Sequence, residues 1–388
     1  MMKSELAPDR ARERALGRAE QRRAITRDEA IALVSARGAE LDRLCRVAAA
    51  VRDEGLARRG TPRTLTYSRK VFVPLTTLCR DRCHYCVFVD TPNQLARQAR
   101  PVFQSPETVL EIARAGAAAG CREVLFTLGD RPEARWPVAD AWLRSRGYAS
   151  TLDYVSGMAA LVHAETGLLP HINPGVMTWA ELERLRPTAP SMGMMLETTS
   201  RQLWSEHGSA HYGSPDKDPA LRLRVLEDAG RARVPFSTGI LLGIGEGAAD
   251  RVDALLAIRA SRERWGHIQE VIVQNYRAKP ATAMRDVPDF GAEAYRAAIA
   301  VARLLLGPDA RVQVPPNLSD EAALAGLIGA GIDDWGGVSP VTPDHVNPER
   351  PWPELDRLAH LTERAGYRLR ERLTAHAEYL DEADGWVD

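Results

Sequence analysis

Apolar residues recur along this chain in two alternating periods. Short apolar-rich runs bounded by glycine, proline or aspartate are separated by longer stretches in which apolar positions return every three or four residues. The short runs read as strands and the long ones as helices. Strand-like runs fall at 71–78, 122–130, 169–173, 191–197, 235–243, 270–275, 311–315 and 332–338. Helices are predicted over 105–119, 151–166, from 178, over 219–233, 250–265 and 292–306, and from 319. Their starts carry capping residues (Ser105-Pro106-Glu107, Thr178 with Glu181, Ser319-Asp320-Glu321), and Gly120 marks a stop. Eight strands alternating with helices predict an α/β fold, a (β/α)8 barrel. An open doubly wound sheet would need a phosphate loop after its first strand, and here that strand runs into cysteines.

The periodicity divides the chain into three stretches. Residues 1–63 form an N-terminal helical extension, 64–350 the barrel, and 351–388 a C-terminal tail. The first 24 residues are polar and arginine-rich and read as a frayed or partly helical arm. A capping box at Thr26 and Glu29 opens a helix whose apolar positions, from Ile31 to Val51, are interrupted near Gly38. Gly60-Thr61-Pro62 breaks it. The tail reads as a proline-rich turn followed by an amphipathic helix.

Composition narrows the class. Hydrophobic content of 45% and charged content of 27% are ordinary globular values. A net charge of −1 gives no electrostatic case for nucleic acid or an anionic membrane, and no apolar run approaches a bilayer span. Five cysteines in 388 residues are too few for a disulfide scaffold and imply a reducing, cytoplasmic setting. The basic residues are nearly all arginine; lysine stands only at Lys3, Lys70, Lys217 and Lys279.

The first strand leads into Cys79, Cys83 and Cys86, spaced C-x3-C-x2-C. Three thiolates on one loop suit a soft metal centre. A closed structural site wants four ligands, and no fourth cysteine is near: Cys121 follows Gly120, and Cys45 lies in a helical segment. The count points to a [4Fe–4S] cluster with one iron open. A zinc site completed by His84 or a distant ligand, and a passive iron–sulfur electron carrier, are the alternatives.

In a (β/α)8 barrel the site lies at the carboxyl ends of the strands. Those ends carry Gly129 and Asp130, His171 and Asn173, Glu197, Gly243 and Ile244, Gln274 and Asn275, Asn317, and the run Asp333-Asp334-Trp335 followed by two glycines. A carboxylate closing an apolar strand, as Glu197 does, needs partners. An internal ion pair is its structural alternative. Arg222 and Arg224 compete as a bidentate carboxylate clamp.

The cysteine spacing with Tyr85 before the last ligand resembles the radical S-adenosylmethionine (SAM) superfamily, whose motif is C-x3-C-x-aromatic-C. That resemblance implies SAM on the open iron and a 5′-deoxyadenosyl radical. It further implies that Gly129 and Asp130 receive the SAM ammonium, though Leu-Gly-Asp stands where Gly-Gly-Glu is common. Glu197 would bind the ribose, Arg222 the carboxylate, and the glycine-rich Gly243–Ile244 backbone the adenine edge. Five segments, TYSRKVFVPLTTLCRDRCHYC, LFTLGDRPE, PFSTGILLGIGE, VIVQNYRAKP and GIDDWGGVSPVTPDHVNPE, together resemble the CofG subunits of 7,8-didemethyl-8-hydroxy-5-deazariboflavin synthases, from residue 64 onward. The resemblance implies a tyrosine–uracil adduct as substrate, a CofH companion subunit, and an electron donor such as ferredoxin or flavodoxin. It implies ring closure with loss of ammonia. Asn173, Gln274, Asn275, Asn317 and Trp335 would then hold the substrate, and His171, Asp333 or Asp334 would move the cyclisation proton. One barrel with one cluster motif resembles the free-standing subunit. CofH-like, menaquinone-pathway and hydrogenase-maturation enzymes are the sibling alternatives.

Overall fold

The computed structural model describes residues 6–380 and 385–387. Nine parallel strands organise it: β1 Thr64–Thr76, β2 Glu123–Leu128, β3 Leu169–Asn173, β4 Ser191–Gly193, β5 Phe236–Leu242, β6 Ile268–Asn275, β7 Val312–Gln313, β8 Asp334–Val338 and β9 Arg368–Glu371. The first eight run side by side in chain order, and pairing of β1 with both β2 and β8 closes them into a barrel. The expected (β/α)8 architecture is therefore what the chain adopts.

Strand parity builds two environments. Val71, Val73, Val124, Phe126, Ile172, Met192, Phe236, Ile240, Val271 and Val273 are fully buried in the main core. Their neighbours Lys70, Phe72, Leu125, His171, Asn173, Ser237, Leu241, Glu270, Ile272 and Gln274 instead line a cavity inside the barrel. Successive strand side chains point to opposite faces, so every inward group is flanked by two that face the helices. The helices start where their caps predict: Ser105, Ser150 and Thr178 accept from Thr108, Asp153 and Glu181 N–H.

The extension joins the same core. Helix Leu6–Glu20 forms where a frayed or partly helical arm is expected, with Ala15, Leu16 and Ala19 buried as a narrow stripe of mostly small residues. Arg43 ties it down through Glu13 and Glu20, at 2.9 and 3.0 Å. Helix Gly38–Arg58 lies against the barrel so closely that a Cβ on Gly55 would sit 1.8 Å from the Pro308 carbonyl oxygen. Its Arg52 is buried, donating to the Ile328 and Ile332 carbonyls at 2.9 and 2.7 Å and stacking on Tyr367.

The tail departs most from expectation. Its helix covers only Leu355–Arg364. Residues beyond it form β9, which pairs with the first four residues of β1. Arg372 then turns under the barrel between Asp334 and Glu270, and Thr374 lies 2.8 Å from Ser191 Oγ. Four residues with alternating exposure, too short for a periodic signal, carry no sequence mark of a strand.

No helix among the described residues is long and apolar enough to cross a membrane.

His267, buried beside Phe236 at the start of β6, has its pKa lowered by burial from 6.5 to about 4. The unfolded chain takes up this proton below its higher pKa and the folded chain does not, so stability is lost as pH falls through that window. His267→Leu should remove this loss. Between pH 7 and 5 its urea-unfolding free energy should fall by about 2 kcal/mol less than that of the unmutated protein.

Candidate active site

The cysteine loop follows β1 and is held from three sides. Arg80 N–H donates to the Asp130 carbonyl at 2.9 Å and His84 N–H to the Ala210 carbonyl at 2.9 Å. Trp136 Nε1 donates to the Cys79 carbonyl at 3.0 Å. Arg80 forms a two-pronged ion pair with fully buried Asp216. Gly129 packs on the loop: an added Cβ would stand 1.9 Å from the Leu78 carbonyl oxygen and 2.7 Å from Cys79 Cβ. Only glycine fits that approach.

Cys79, Cys83 and Cys86 are free thiols that line one cavity of about 190 Å³. Gly129, Asp130, Glu197, Lys217 and Arg222 share its wall, and no fourth cysteine and no histidine does. His84, the expected alternative zinc ligand, stays outside. Burial pushes the Cys83 thiol up to about 12, so a soft cation is what would hold these sulfurs as thiolates. Asp130 Oδ2 accepts from Val176 N–H at 3.0 Å while its buried Oδ1 has no hydrogen-bond partner, Arg131 Nε standing 4.0 Å away. Burial and the neighbouring Asp216 and Asp81 charges push that carboxyl up to about 8. A three-ligand cluster with an amine-bearing ligand beside it fits this donor set.

Glu197 lies at the hinge of the site. It is a non-glycine residue at φ 66°, fixed there by backbone bonds to Gly239 and Leu241 at 2.9 and 3.0 Å. Strain of this kind persists where surrounding structure enforces it. Its carboxylate receives Tyr85 Oη, His211 Nε2 at 2.8 Å and Lys217 Nζ. Burial alone would raise this carboxyl, yet Lys217, Arg222 and His211 hold it well below the usual range. Arg222, also buried, donates through Nε to the Asp216 carbonyl at 2.9 Å and through Nη1 to the Met195 carbonyl. Arg224 is half exposed on the outer face of its helix, 3.5 Å from Asp228. Between the two arginines, only Arg222 reaches the cavity.

A second cavity of about 290 Å³ fills the barrel interior. It meets the first along Asn173, Met194, Met195, Glu197 and Val346, which line both. Gln274, His171 and Trp335 also line it. His171 Nδ1 lies 2.7 Å from Ser191 Oγ. Burial and the Lys70 charge push its pKa down to about 3, which keeps the imidazole uncharged at neutral pH. The loop after β8 closes the top through Asp344, Val346, Asn347 and Trp352, with Trp352 stacked on Phe72 at 5.2 Å.

Several expected site residues stand elsewhere. Asp333 and Asp334 precede or begin β8, so they lie at the amino end of the barrel, opposite the mouth. Asp333 is bound by Arg59 at 2.8 Å, Arg303 at 2.9 Å and Val312 N–H at 2.7 Å. Asp334 is bound by Arg372 and Thr66. Their placement as mouth residues is corrected: they open the apolar run 332–338 and the strand it becomes, so they mark its amino end and not its carboxyl end. Asn275 has the wrong parity. Its amide points outward and donates to the Leu318 carbonyl at 2.9 Å. Asn317 donates to Asp344 and the Arg350 carbonyl, at 2.9 and 3.0 Å, and so fixes the closing loop. Trp335 does line the inner cavity, but it is fully buried and its indole N–H turns away to Thr362, 3.3 Å off on the helix behind the strand. Gly243 and Ile244 N–H both donate to Glu246 at 2.8 Å, and neither residue lines either cavity.

Sequence reasoning passed over Lys70, Lys217, His211, Asp216, Glu270 and Gln313. One signal was available. In a chain that uses arginine almost everywhere, Lys70 and Lys217 are two of only four lysines, and each lines one of the two cavities.

The barrel and its three-thiol mouth define a radical SAM-type protein, and residues 73–258 match the Radical SAM superfamily profile. The fold is shared with the [FeFe]-hydrogenase maturase HydG from Carboxydothermus hydrogenoformans (TM-score 0.74, 18% identity, 95% of this chain and 81% of that one). The chain is 50% identical over 322 residues to the 7,8-didemethyl-8-hydroxy-5-deazariboflavin synthase of Methanopyrus kandleri, covering 83% of this chain and 94% of that protein. It belongs to the 7,8-didemethyl-8-hydroxy-5-deazariboflavin synthase family of radical SAM proteins. It is also 60% identical over 378 residues to the FO synthase of Nocardia farcinica, covering 97% of this chain. This chain spans 44% of the length of that relative.

Two outcomes test the geometry. Arg222→Met should weaken equilibrium binding of SAM to anaerobically reconstituted protein by about tenfold or more, and Arg224→Met should leave it within about twofold. Asp334→Asn should lower stability by about 2 kcal/mol in urea unfolding, because Arg372 loses a charged partner, while iron content after reconstitution stays unchanged.

Proposed function

We propose that this chain carries out the CofG step of deazaflavin formation. The substrate is 5-amino-5-(4-hydroxybenzyl)-6-(D-ribitylimino)-5,6-dihydrouracil, and the product is 7,8-didemethyl-8-hydroxy-5-deazariboflavin, the chromophore of coenzyme F-420. A [4Fe–4S] cluster on Cys79, Cys83 and Cys86 with SAM on its open iron would supply the hydrogen-abstracting 5′-deoxyadenosyl radical. Reduction would come from a ferredoxin or flavodoxin, and the adduct from a CofH companion.

The observation that carries this reading is the shared wall between the two cavities. Asn173, Met194, Met195 and Glu197 face both the thiols and the barrel interior. A substrate in the barrel would therefore touch a ligand held over the cysteines, as radical transfer requires. Arg222 would pair with the SAM carboxylate and Asp130 would accept from its ammonium. Glu197, already fixed by Tyr85, His211 and Lys217, would face the ribose hydroxyls. The apolar wall formed by Phe72, Leu125, Leu241, Ile272, Leu318 and Trp352 would exclude water while the ring closes and ammonia leaves. Asn173 and Gln274 are inward amides above the barrel floor that would face the uracil.

The test is anaerobic turnover with SAM, a chemical reductant and the synthetic adduct. Deazaflavin fluorescence is expected together with 5′-deoxyadenosine. Release of 5′-deoxyadenosine with no deazaflavin, under conditions where a CofG enzyme turns over, would reject this substrate and favour a sibling reaction.

A further inference from the structure

The barrel floor carries a polar ring that the reaction chemistry above does not use. Lys70 from β1, His171 from β3, Glu270 from β6 and Gln313 from β7 all line the inner cavity, and each is more than nine-tenths buried. They are braced from below. Lys70 Nζ lies 3.4 Å from Glu123. Glu270 Oε1 accepts from Ser237 Oγ at 2.8 Å, and Oε2 is held by Arg372 and by His376 at 3.3 Å. The Gln313 amide, oriented to donate, meets both Glu270 oxygens at 3.1 Å. His171 Nδ1 is taken by Ser191, while a Cβ on Gly193 would come 3.0 Å from Nε2.

An apolar ligand seated here would cover the hydrogen-bonding capacity these contacts leave over, on Lys70 Nζ and His171 Nε2, without solvent to replace it. An anion finds no excess positive charge, because Lys70 and Arg372 face three carboxylates, Glu123, Glu270 and Asp334. A planar heterocycle presents its hydrogen-bonding atoms in one plane, whereas these groups converge from four strands around the barrel. A chain of hydroxyls, each both donor and acceptor and each free to turn, matches them. The depth also matches. Asn173 and Gln274 stand two and four residues above His171 and Glu270 on their strands, so the floor lies about 7 Å or more below the wall shared with the thiols. The reacting end of a substrate must stay at that wall, and its unreactive arm must point down.

We propose that Lys70, His171, Glu270 and Gln313 form a seat for a neutral polyhydroxylated chain, the ribityl arm of the substrate, with Arg372 of the C-terminal tail as the positioning residue that fixes Glu270. The inference rests on the function proposed above and names specificity residues for it.

The experiment compares two ligands on the full chain, anaerobically reconstituted with SAM. One is the ribityl adduct, the other the same adduct with a pentyl chain in place of ribityl. Calorimetry reads affinity for each, and turnover reads KM and kcat for the ribityl adduct. The unmutated protein should bind the ribityl adduct at least about tenfold more tightly than the pentyl one. Lys70→Met and Gln313→Leu should each bring that ratio to within about threefold and raise KM more than they lower kcat. Arg372→Met should do the same, and Arg372→Lys should restore part of the ratio. Equal binding of both ligands by the unmutated protein, or wild-type discrimination in the folded Lys70 and Gln313 variants, would overturn the seat. If a variant does not fold, the two-ligand comparison on the unmutated protein still decides. Failure of the function itself reads differently: the unmutated protein would then bind SAM and form no deazaflavin.

Discussion

Arg372 reaches under the barrel between Asp334 and Glu270, and the polar interior above it depends on that contact. A carboxylate at the centre of a barrel is costly unless paired. Glu270 is paired from below by a residue some hundred positions away in sequence, which leaves its upper side bounded by Gln313, His171 and Lys70. The same tail segment bonds Ser191 and Gln269 through Thr374 and extends β1 through β9. The barrel is therefore closed at its amino end by residues 368–374. What remains open is the carboxyl end, where the cysteines stand.

At that open end two cavities meet, and charge is arranged around their common wall. Glu197 is kept ionised by Lys217, Arg222 and His211, and is held in a left-handed conformation by β5. Asp130 is the contrasting case: a carboxyl with one orphaned oxygen, raised by burial and by neighbouring acids. One acid is already satisfied and fixed, and the other has an acceptor to offer. Such a pair suits a ligand that presents hydroxyls on one side and an ammonium on the other. The loop after β8 then covers the inner cavity, with Asp344 as the hub that gathers Asn317, Asn347 and the backbone of Val346.

Much of this was legible in the residues. The eight strands follow from the alternation of short apolar runs with helical ones, and β3 and the helix Thr151–Thr166 fall where their patterns place them. The three-thiol loop is local in sequence, so its spacing alone announces it. Gly129, Asp130 and Glu197 follow from one topological rule, that barrel sites lie beyond the strand ends. The errors concern where a residue sits on its strand. Asn275 and Gln274 are adjacent and chemically alike, and a single step of strand parity turns one inward and the other outward. Asp333 and Asp334 lie at the wrong end because they open their strand, whereas barrel sites lie beyond the carboxyl end.

The sequence by itself determined the architecture, the cluster loop and the family, because each of these is written in short-range periodicity or in a contiguous motif. Only the tertiary structure decided which polar residues face the cavity, which arginine of Arg222 and Arg224 reaches it, and that Arg372 completes the floor. Those facts depend on strand register, helical phase and contacts between residues far apart in the chain. No local pattern encodes them, since register and burial are settled by packing across the whole barrel, and each buried charge must then find a partner distant in sequence.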